Sequence, residues 1–147
     1  MKLKQISIFL ENSPGRLRET TRALGDAGLN LRALTLSEAS DYGVLRLLVS
    51  DVKKARQVMM EKQFPARIDE VVAVEIVDQA GSLADLLEPL NEANISVRYM
   101  YAFSGFHDDR AVMIFSFSDN DRAIETLQKN GYQLISAEAF GMLEGGA

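Results

Sequence analysis

The amino-acid sequence predicts an α+β fold built from two ferredoxin-like βαββαβ repeats, residues 1–70 and 71–147, each an antiparallel sheet with its helices on one face. Three observations predict this fold. The chain aligns with itself from end to end, each half opens on alternating apolar residues, and each alternation is followed by apolar residues at helical spacing. The chain is therefore predicted to be an internal duplication.

The duplication is visible in matched positions at an offset of 66 residues. The matched pairs of the opening strands are Ile6 and Val72, Ile8 and Val74, and Leu10 and Ile76. In the turn that follows, Gly15 falls on Gly81. Beyond the next loop the offset becomes 68, which places residues 44–51 on residues 112–119. Because both registers keep the order of apolar and turn residues, the two halves are predicted to share one fold.

The helices have predicted ends. The helical spacing stops at Gly28 in the first repeat and at Asn94 in the second, and both residue types accept the left-handed backbone that follows a helix. Asp51 and Asp119 are predicted N-caps of the second helices, because a carboxylate there accepts a hydrogen bond from the first helical turn. Pro89 falls inside the first helix of the second repeat and is expected to bend it.

The remaining strands follow from short apolar runs between turn residues. They are predicted at residues 29–36, 44–49 and 64–68 in the first repeat and at residues 95–103, 111–117 and 132–140 in the second. A loop at residues 104–110 joins the second hairpin. The third strands also carry apolar residues on the face away from the helices, namely Val44, Leu48, Val112 and Ile114. Because these residues need a cover, most simply another repeat, we expect a duplicated and dimeric assembly, a homodimer.

Composition excludes several classes of function. The chain has no Cys and one His, His107, so thiolate catalysis and Cys- or His-rich metal sites are excluded and no cofactor is expected. A formal net charge of −5 opposes binding to nucleic acid, which depends on Lys and Arg. No apolar run approaches the roughly 20 residues of a membrane helix, and the first residues lead straight into a strand. We therefore expect a cytoplasmic protein that does not enter membranes.

Charge is distributed unevenly along the chain. Residues 1–71 carry a net charge of +3, and residues 72–147 carry a net charge of −8. Surfaces of opposite charge attract each other, although each exposed ion pair contributes only about 0–1 kcal/mol. The asymmetry is therefore weak evidence for an interface.

A site-like feature recurs where the first strand of each repeat meets the first helix, at residues 11–17 and 77–83. A glycine in each turn lets a ligand approach the backbone, and the free N–H groups of the first helical turn favour a carboxylate. Asn12 and Asp78 carry oxygen atoms that accept hydrogen bonds from an ammonium group. The turns therefore predict binding of an amino-acid zwitterion. The alternative is that Asn12, Ser13 and Asp78 are ordinary helix caps.

The first turn and its helix resemble the ACT-domain signature, in which an Asn or Asp, a Pro-Gly and a Leu precede a helix that ends in Gly-Ile-Asn-Ile. The matching residues are Asn12, Pro14, Gly15 and Leu17, followed by Gly28-Leu29-Asn30-Leu31. The whole chain is similar to stand-alone proteins of two ACT domains, modules that bind amino acids between paired domains and regulate metabolic enzymes. The second repeat has Ala80 and Ser96 in place of the Pro and the Asn, so its site is expected to differ in specificity or to be lost.

The resemblance implies a ligand site at each glycine turn, completed by the opening of the second strand of a neighbouring domain. In the first repeat the implied residues are Asn12, Ser13, Pro14, Gly15, Arg16, Leu17, Asn30 and Leu31. In the second repeat they are Asp78, Gln79, Ala80, Gly81, Ser82, Leu83, Ser96 and Val97.

The function implied by the resemblance is non-catalytic. It is the binding of a small amino acid at domain interfaces of a homodimer that modulates a partner metabolic enzyme. The sequence offers no nucleophile paired with a base, which agrees with a role outside catalysis. The alternative is a structural or protein-interaction module that keeps the fold without a ligand.

Overall fold

The computed structural model describes residues 1–39 and 41–143, with the backbone alone at residues 104–107. The elements are β1 (Leu3–Glu11), α1 (Arg16–Asp26), β2 (Leu31–Ala39), β3 (Tyr42–Val49), α2 (Val52–Glu61), β4 (Ala66–Val77), α3 (Ser82–Glu92), β5 (Val97–His107), β6 (Arg110–Phe117), α4 (Asn120–Lys129), β7 (Gln133–Leu134) and a short 3-10 helix (Glu138–Phe140). The order βαββαβ occurs twice, which confirms the predicted fold class. None of the helices in this described part of the chain is long and apolar enough to cross a membrane.

The chain divides into two compact units. The first-repeat unit contains Lys4–Asp69 and the C-terminal segment that begins at Ala137. The second-repeat unit contains Met1–Leu3 and Glu70–Ser136. Each repeat therefore forms a compact unit together with a few residues from the far end of the chain. The repeat boundaries at residues 1–70 and 71–147 stay a prediction about the duplication.

In the first-repeat unit the strands lie in the order β2-β3-β1-β4. β1 and β3 are antiparallel, with Ile6 opposite Leu47 and Ile8 opposite Leu45. Residues opposite each other share a face of the sheet, and this face forms the core together with α1 and α2. Its buried residues are Ile6, Ile8, Leu10, Leu24, Leu29, Leu45, Leu47, Val49, Val52, Ala55 and Met59. The apolar alternation predicted for the opening strand is confirmed.

The second-repeat unit repeats this construction with the strand order β5-β6-β4-β7. Val72 lies opposite Phe115 and Val74 opposite Met113, again in an antiparallel register. The core consists of Val72, Val74, Ile76, Leu86, Leu90, Ile95, Met113, Phe115, Phe117, Ala123, Leu127 and Leu134. The second half of β4 therefore performs the role that β1 performs in the first repeat.

The predicted helix ends are confirmed. The Asp51 carboxylate accepts a hydrogen bond from the Lys54 amide at 3.1 Å, and Asp119 accepts one from the Arg122 amide at 3.1 Å. Gly28 and Asn94 have positive φ angles of 76° and 58°. These left-handed residues end the first helices, because they let the chain reverse towards the next strand.

The predicted closing strand of the first repeat begins at Ala66 and passes without a spacer into the opening strand of the second repeat, so that the two form the single strand β4 (Ala66–Val77). The predicted closing strand of the second repeat is wrong in extent. The segment at residues 132–140 keeps only Gln133–Leu134 as a strand. The Ile135 amide still donates to the Ala73 carbonyl of β4, at 2.8 Å. Further along the chain, the hydrogen bonds to the Ala137 carbonyl are turn bonds and not bonds between strands. The run Ser136-Ala137-Glu138-Ala139 lacks the β-branched residues that favour a strand.

The predicted loop at residues 104–110 is also wrong. β5 extends to His107 and β6 begins at Arg110, so only Asp108 and Asp109 separate the strands. The side chain of His107, the lone histidine, lies outside the described residues. The strand was not predicted because this segment is polar and the prediction relied on apolar content, whereas β-pairing at a hairpin depends on register.

The apolar residues on the second face of the third strands are already buried in the single chain. Val44, Leu48, Val112 and Ile114 are each less than a tenth exposed. These residues therefore do not call for a second copy.

Candidate ligand-binding site

The turn between first strand and first helix has the same backbone in both repeats. Gly15 and Gly81 are the N-cap residues of α1 and α3, with φ angles of 89° and 87°. Residues other than glycine rarely adopt this left-handed conformation, so both positions favour glycine. Among the described residues, the side chains of Asn12, Ser13 and Asp78 make no hydrogen bond. The alternative that they cap the helices is therefore wrong.

The hydrogen bonds of the two turns also coincide. The Ser13 amide donates to the Glu11 carbonyl at 2.8 Å, and the matched bond from Gln79 to Val77 is 3.0 Å. In the first turn, the first intrahelical bond runs from the Glu19 amide to the Gly15 carbonyl at 2.9 Å. The amides of residues 17 and 18 precede this bond, and such amides have no intrahelical acceptor. Each turn therefore presents free N–H donors at the positive end of a helix dipole.

A cavity of about 480 Å³ lies beside the first turn. Its walls are the end of β1, the start of α1 and the ends of β2 and β3 that meet at their hairpin. The lining residues are Leu10, Glu11, Asn12, Ser13, Arg16, Leu17, Leu36, Ser37, Glu38, Tyr42 and Gly43. The cavity thus combines four of the predicted site residues with a hairpin that the sequence did not point to.

Sheet register explains why the hairpin reaches the turn. β1 pairs with β3 so that Leu10 lies opposite Gly43 and Glu11 opposite Tyr42. The Tyr42 ring lies 6.0 Å from the ring of Phe9, measured between centroids. The predicted topology already placed the third strand beside the first, and this was the signal that could have located Tyr42.

Charge in the cavity is mixed. The Arg16 guanidinium lies 3.3 Å from a Glu11 carboxylate oxygen and 3.2 Å from a Glu19 oxygen, and its centre is 5.9 Å from the ring centroid of Phe64. Two carboxylates therefore offset the positive charge of Arg16. Glu38 brings a further acidic side chain to the cavity. The cavity therefore has the start of α1 and the acidic side chains of Glu11 and Glu38 in its lining.

The predicted residues Asn30 and Leu31 lie away from this cavity. The cavity touches β2 at Leu36, five residues beyond Leu31, and a strand advances about 3.3 Å per residue, or roughly 17 Å in all. The Asn30 amide donates to the Ser50 hydroxyl at 3.0 Å, and the Ser50 amide donates to the Asn30 carbonyl at 2.9 Å. Within one repeat, the turn and the opening of β2 do not meet.

The second turn differs in its side chains. Asp78, Gln79, Ala80 and Gly81 are exposed, as the matched residues 12–15 of the first turn are, and the Asp78 amide donates to the Asp109 carbonyl at 2.8 Å. Leu83 packs against the core of its unit, whereas the matched Leu17 is 41% exposed and lines the cavity.

The other predicted residues of the second repeat keep the backbone of the first. Ser82, where the first repeat has Arg16, donates its amide to the Gln79 carbonyl at 3.2 Å. Ser96 is bonded to Ser118 as Asn30 is to Ser50, at 3.1 and 2.9 Å, and Val97 packs on the core. The backbone is thus duplicated, and the polar and exposed side chains are not.

No group of three His, Cys, Asp or Glu residues that could hold a metal occurs in the part of the chain that the structure describes.

These features define a tandem pair of βαββαβ modules in which a helix N-terminus faces a cavity. The family model of the ACT domain pair matches residues 1–143, and the chain belongs to that family.

Solved structures share this fold. Protein BT0572 from Bacteroides thetaiotaomicron is 36% identical, with a TM-score of 0.90 over 97% of this chain and 98% of that one. The ligand-free regulatory subunit of aspartate kinase from Thermus thermophilus shares the fold, with 12% identity and a TM-score of 0.62 over 87% of this chain and 92% of that one. The regulatory subunit of aspartate kinase from Thermus flavus gives 13% identity and a TM-score of 0.61 over 86% and 90%. No curated protein matches the chain.

Proposed function

We propose that the protein is a non-catalytic regulator that binds a small amino acid in the cavity beside the first turn. The observation that carries the proposal is the cavity itself. Its lining includes the start of α1, where helix N–H groups are free, and carboxylate acceptors on β1 and β2. Its volume of about 480 Å³ lies within the usual range of small-molecule pockets, about 300–1,000 Å³.

The two ends of an amino acid match the two sides of the cavity. The ligand carboxylate binds at the start of α1, where the amides of residues 17 and 18 and the helix dipole favour negative charge. The ligand ammonium binds the oxygen atoms of Asn12, Glu11 and Glu38. Leu17, Leu36 and Tyr42 form an apolar wall for the ligand side chain.

The site is completed by a second copy of the chain. β2 has β3 as its strand neighbour and no other among the described residues, and Leu34 and Leu36 on it are 54% and 50% exposed. A nine-residue edge strand that carries exposed leucines favours pairing with another strand. Because Leu36 also lines the cavity, a homodimer formed through β2 places the partner beside the ligand. In this arrangement Asn30 and Leu31 of one copy reach the cavity of the other.

The regulated partner is a metabolic enzyme. This part of the proposal rests on the family of the chain and on analogy with the regulatory subunits of aspartate kinase, whose fold it shares. Ligand binding across the dimer stabilises one arrangement of the two copies, and the partner enzyme responds to that arrangement.

A second candidate function applies to the second repeat. Its turn has Ala80 and Ser82 where the first has Pro14 and Arg16, and Leu83 packs on the core. These differences favour a second repeat that keeps the fold for interaction with a partner and has lost the ligand.

The experiment is a thermal-shift screen of the standard amino acids, followed by calorimetry. A ligand that binds only the folded protein raises its melting temperature. We expect one or a few amino acids to do so, and to bind at least about tenfold more tightly than their N-acetyl and amide derivatives, a difference of about 1.4 kcal/mol. Equal binding of all three forms would show that the charged groups are not recognised. No shift with any amino acid would favour the interaction module.

A further inference from the structure

Free charge on the described helices is segregated between the two repeats. α3 carries Asp85, Glu88 and Glu92, which are exposed and make neither an ion pair nor a hydrogen bond within the described residues. On the other α-helices of this part of the chain each carboxylate has a partner, such as Lys129 for Glu125 at 3.1 Å and Lys2 for Asp121 at 3.0 Å. The free carboxylates of the α-helices are therefore concentrated on α3.

The three carboxylates form a ridge. Their spacings of three and four residues place them on one face of α3. A helix rises about 1.5 Å per residue, so the ridge is about 10 Å long from Asp85 to Glu92. We call this surface the acidic ridge.

The first-repeat unit carries the complementary surface. A cleft of about 390 Å³ lies between α1 and the segment that follows α2, and we call it the basic cleft. Its lining residues are Arg18, Glu19, Arg22, Ala23, Asp26, Lys62 and Phe64. In the described structure the side chains of Arg18 and Lys62 have no partner, and Arg22 reaches an Asp26 oxygen only at 4.0 Å. Glu19 is already paired with Arg16.

We propose that the acidic ridge of one copy of the chain docks into the basic cleft of a second copy. The proposal commits to a second copy because the same chain supplies both surfaces at equal concentration, each with charges that lack a partner in the described residues. The ridge brings three negative charges to a cleft that has two unpartnered cations and a weakly paired third. Several exposed pairs acting together give an association that depends on ionic strength, since salt screens such charges.

This contact is distinct from the β2 edge. Pairing through β2 buries apolar residues and backbone groups and is little affected by salt, whereas the ridge and cleft attract each other by charge. The two contacts can therefore be distinguished in one experiment in which the salt concentration is varied. At high salt the chain keeps the β2 association, and at low salt it gains the contact between ridge and cleft.

The test is sedimentation velocity of the full chain at about 20 mM and about 500 mM NaCl, with the folding of every variant checked by circular dichroism. The ridge variant is Glu88→Lys with Glu92→Lys, and the cleft variant is Arg18→Glu with Lys62→Glu. The matched control is Lys53→Glu with Arg56→Glu, which reverses the same number of charges on α2 outside the cleft.

We expect wild-type protein to associate at least about tenfold more weakly at high salt than at low salt. Each variant alone should lose the salt-sensitive step, an equimolar mixture of the ridge and cleft variants should regain it, and the control should keep it. Three results would overturn the proposal: a wild-type mass independent of salt, a mixture of folded variants that fails to associate, or a control as impaired as the cleft variant. The last result would assign the effect to net charge rather than to this contact.

Discussion

The two turns between first strand and first helix share a backbone and differ in chemistry. Gly15 and Gly81 have φ angles within a few degrees of each other, 89° and 87°, and the hydrogen bonds around them match. In the first turn Arg16 and Leu17 line a cavity, whereas Ser82 stands in place of Arg16 and Leu83 packs on the core. Backbone geometry therefore persists after duplication when it is needed for the chain to turn, while side chains are free to change.

In a duplicated fold, the positions that differ between the repeats indicate function more strongly than the positions that they share. A glycine and a helix N-terminus occur in both repeats because both repeats must pass from strand to helix. The cavity side chains have no such structural requirement. Exposed Leu17 and paired Arg16 therefore point to a ligand in the first repeat more strongly than the shared turn does.

The largest expected effect comes from the matched variants Gly15→Val and Gly81→Val. An added Cβ meets no atom within 4 Å at either position, so the cost comes from the positive φ angle and is about 1–3 kcal/mol in each case. Chemical denaturation should give similar losses of stability for the two variants. Calorimetry should show binding abolished by Gly15→Val and kept by Gly81→Val. A folded Gly15→Val protein with wild-type affinity would contradict the site assignment.

Leu17→Ala and Leu83→Ala should separate packing from binding. Leu83 contacts the core, so its truncation should lower the free energy of unfolding by about 1–2 kcal/mol. Leu17 is exposed, so its truncation should change stability by less than about 0.5 kcal/mol and weaken ligand binding through the lost cavity wall. Equal stability losses measured in urea would show that Leu17 is a core residue.

The two second helices should respond alike to loss of their caps. Asp51→Ala and Asp119→Ala each remove a carboxylate that accepts a 3.1 Å hydrogen bond from the first helical turn. Each should cost about 1 kcal/mol of stability, measured by thermal unfolding, and neither should change ligand affinity. Unequal costs would indicate that the repeats differ in construction and not only at the site.

The smallest expected effect concerns Tyr132, which stands where the first repeat has Phe64. Burial raises the pKa of the Tyr132 phenol above its usual value, and the neighbouring Asp85 carboxylate raises this pKa further. A raised pKa in the folded state contributes stability that is present below about pH 10 and is lost as pH rises through the folded pKa. Ultraviolet titration, with Tyr132→Phe as the reference, should show the pKa of Tyr132 lowered by Asp85→Asn. A pKa unchanged by Asp85→Asn would remove the charge effect and leave burial alone.

Local patterns were sufficient to predict most of the fold. The alternation of Ile6, Ile8 and Leu10 and the caps Asp51 and Asp119 depend on near neighbours in sequence, and the structure confirms both. The closing strand of the second repeat was predicted wrongly beyond Leu134, because the end of a strand depends on where its partner β4 is free to pair. Propensity does not contain that information.

The candidate site was predictable only in part. Asn12 and Ser13 were predicted from local turn chemistry, Arg16 and Leu17 were implied by the family resemblance, and all four line the cavity. Ser37, Glu38 and Tyr42 were missed because their place beside the turn depends on the register between β1 and β3.

The most direct test of a ligand at the first turn is an NMR titration. The ¹⁵N-labelled full chain is titrated with the amino acid that gives the largest thermal shift, and its amide resonances are monitored. Hydrogen bonds to a ligand carboxylate change the amide shifts of the donors, so the amide resonances of residues 13 and 15–18 should shift in a saturable manner with the calorimetric affinity. The matched amides of residues 79–84 should stay in place. Saturable shifts at residues 79–84 alone, or binding that leaves both turns unperturbed, would contradict a ligand site at the first turn.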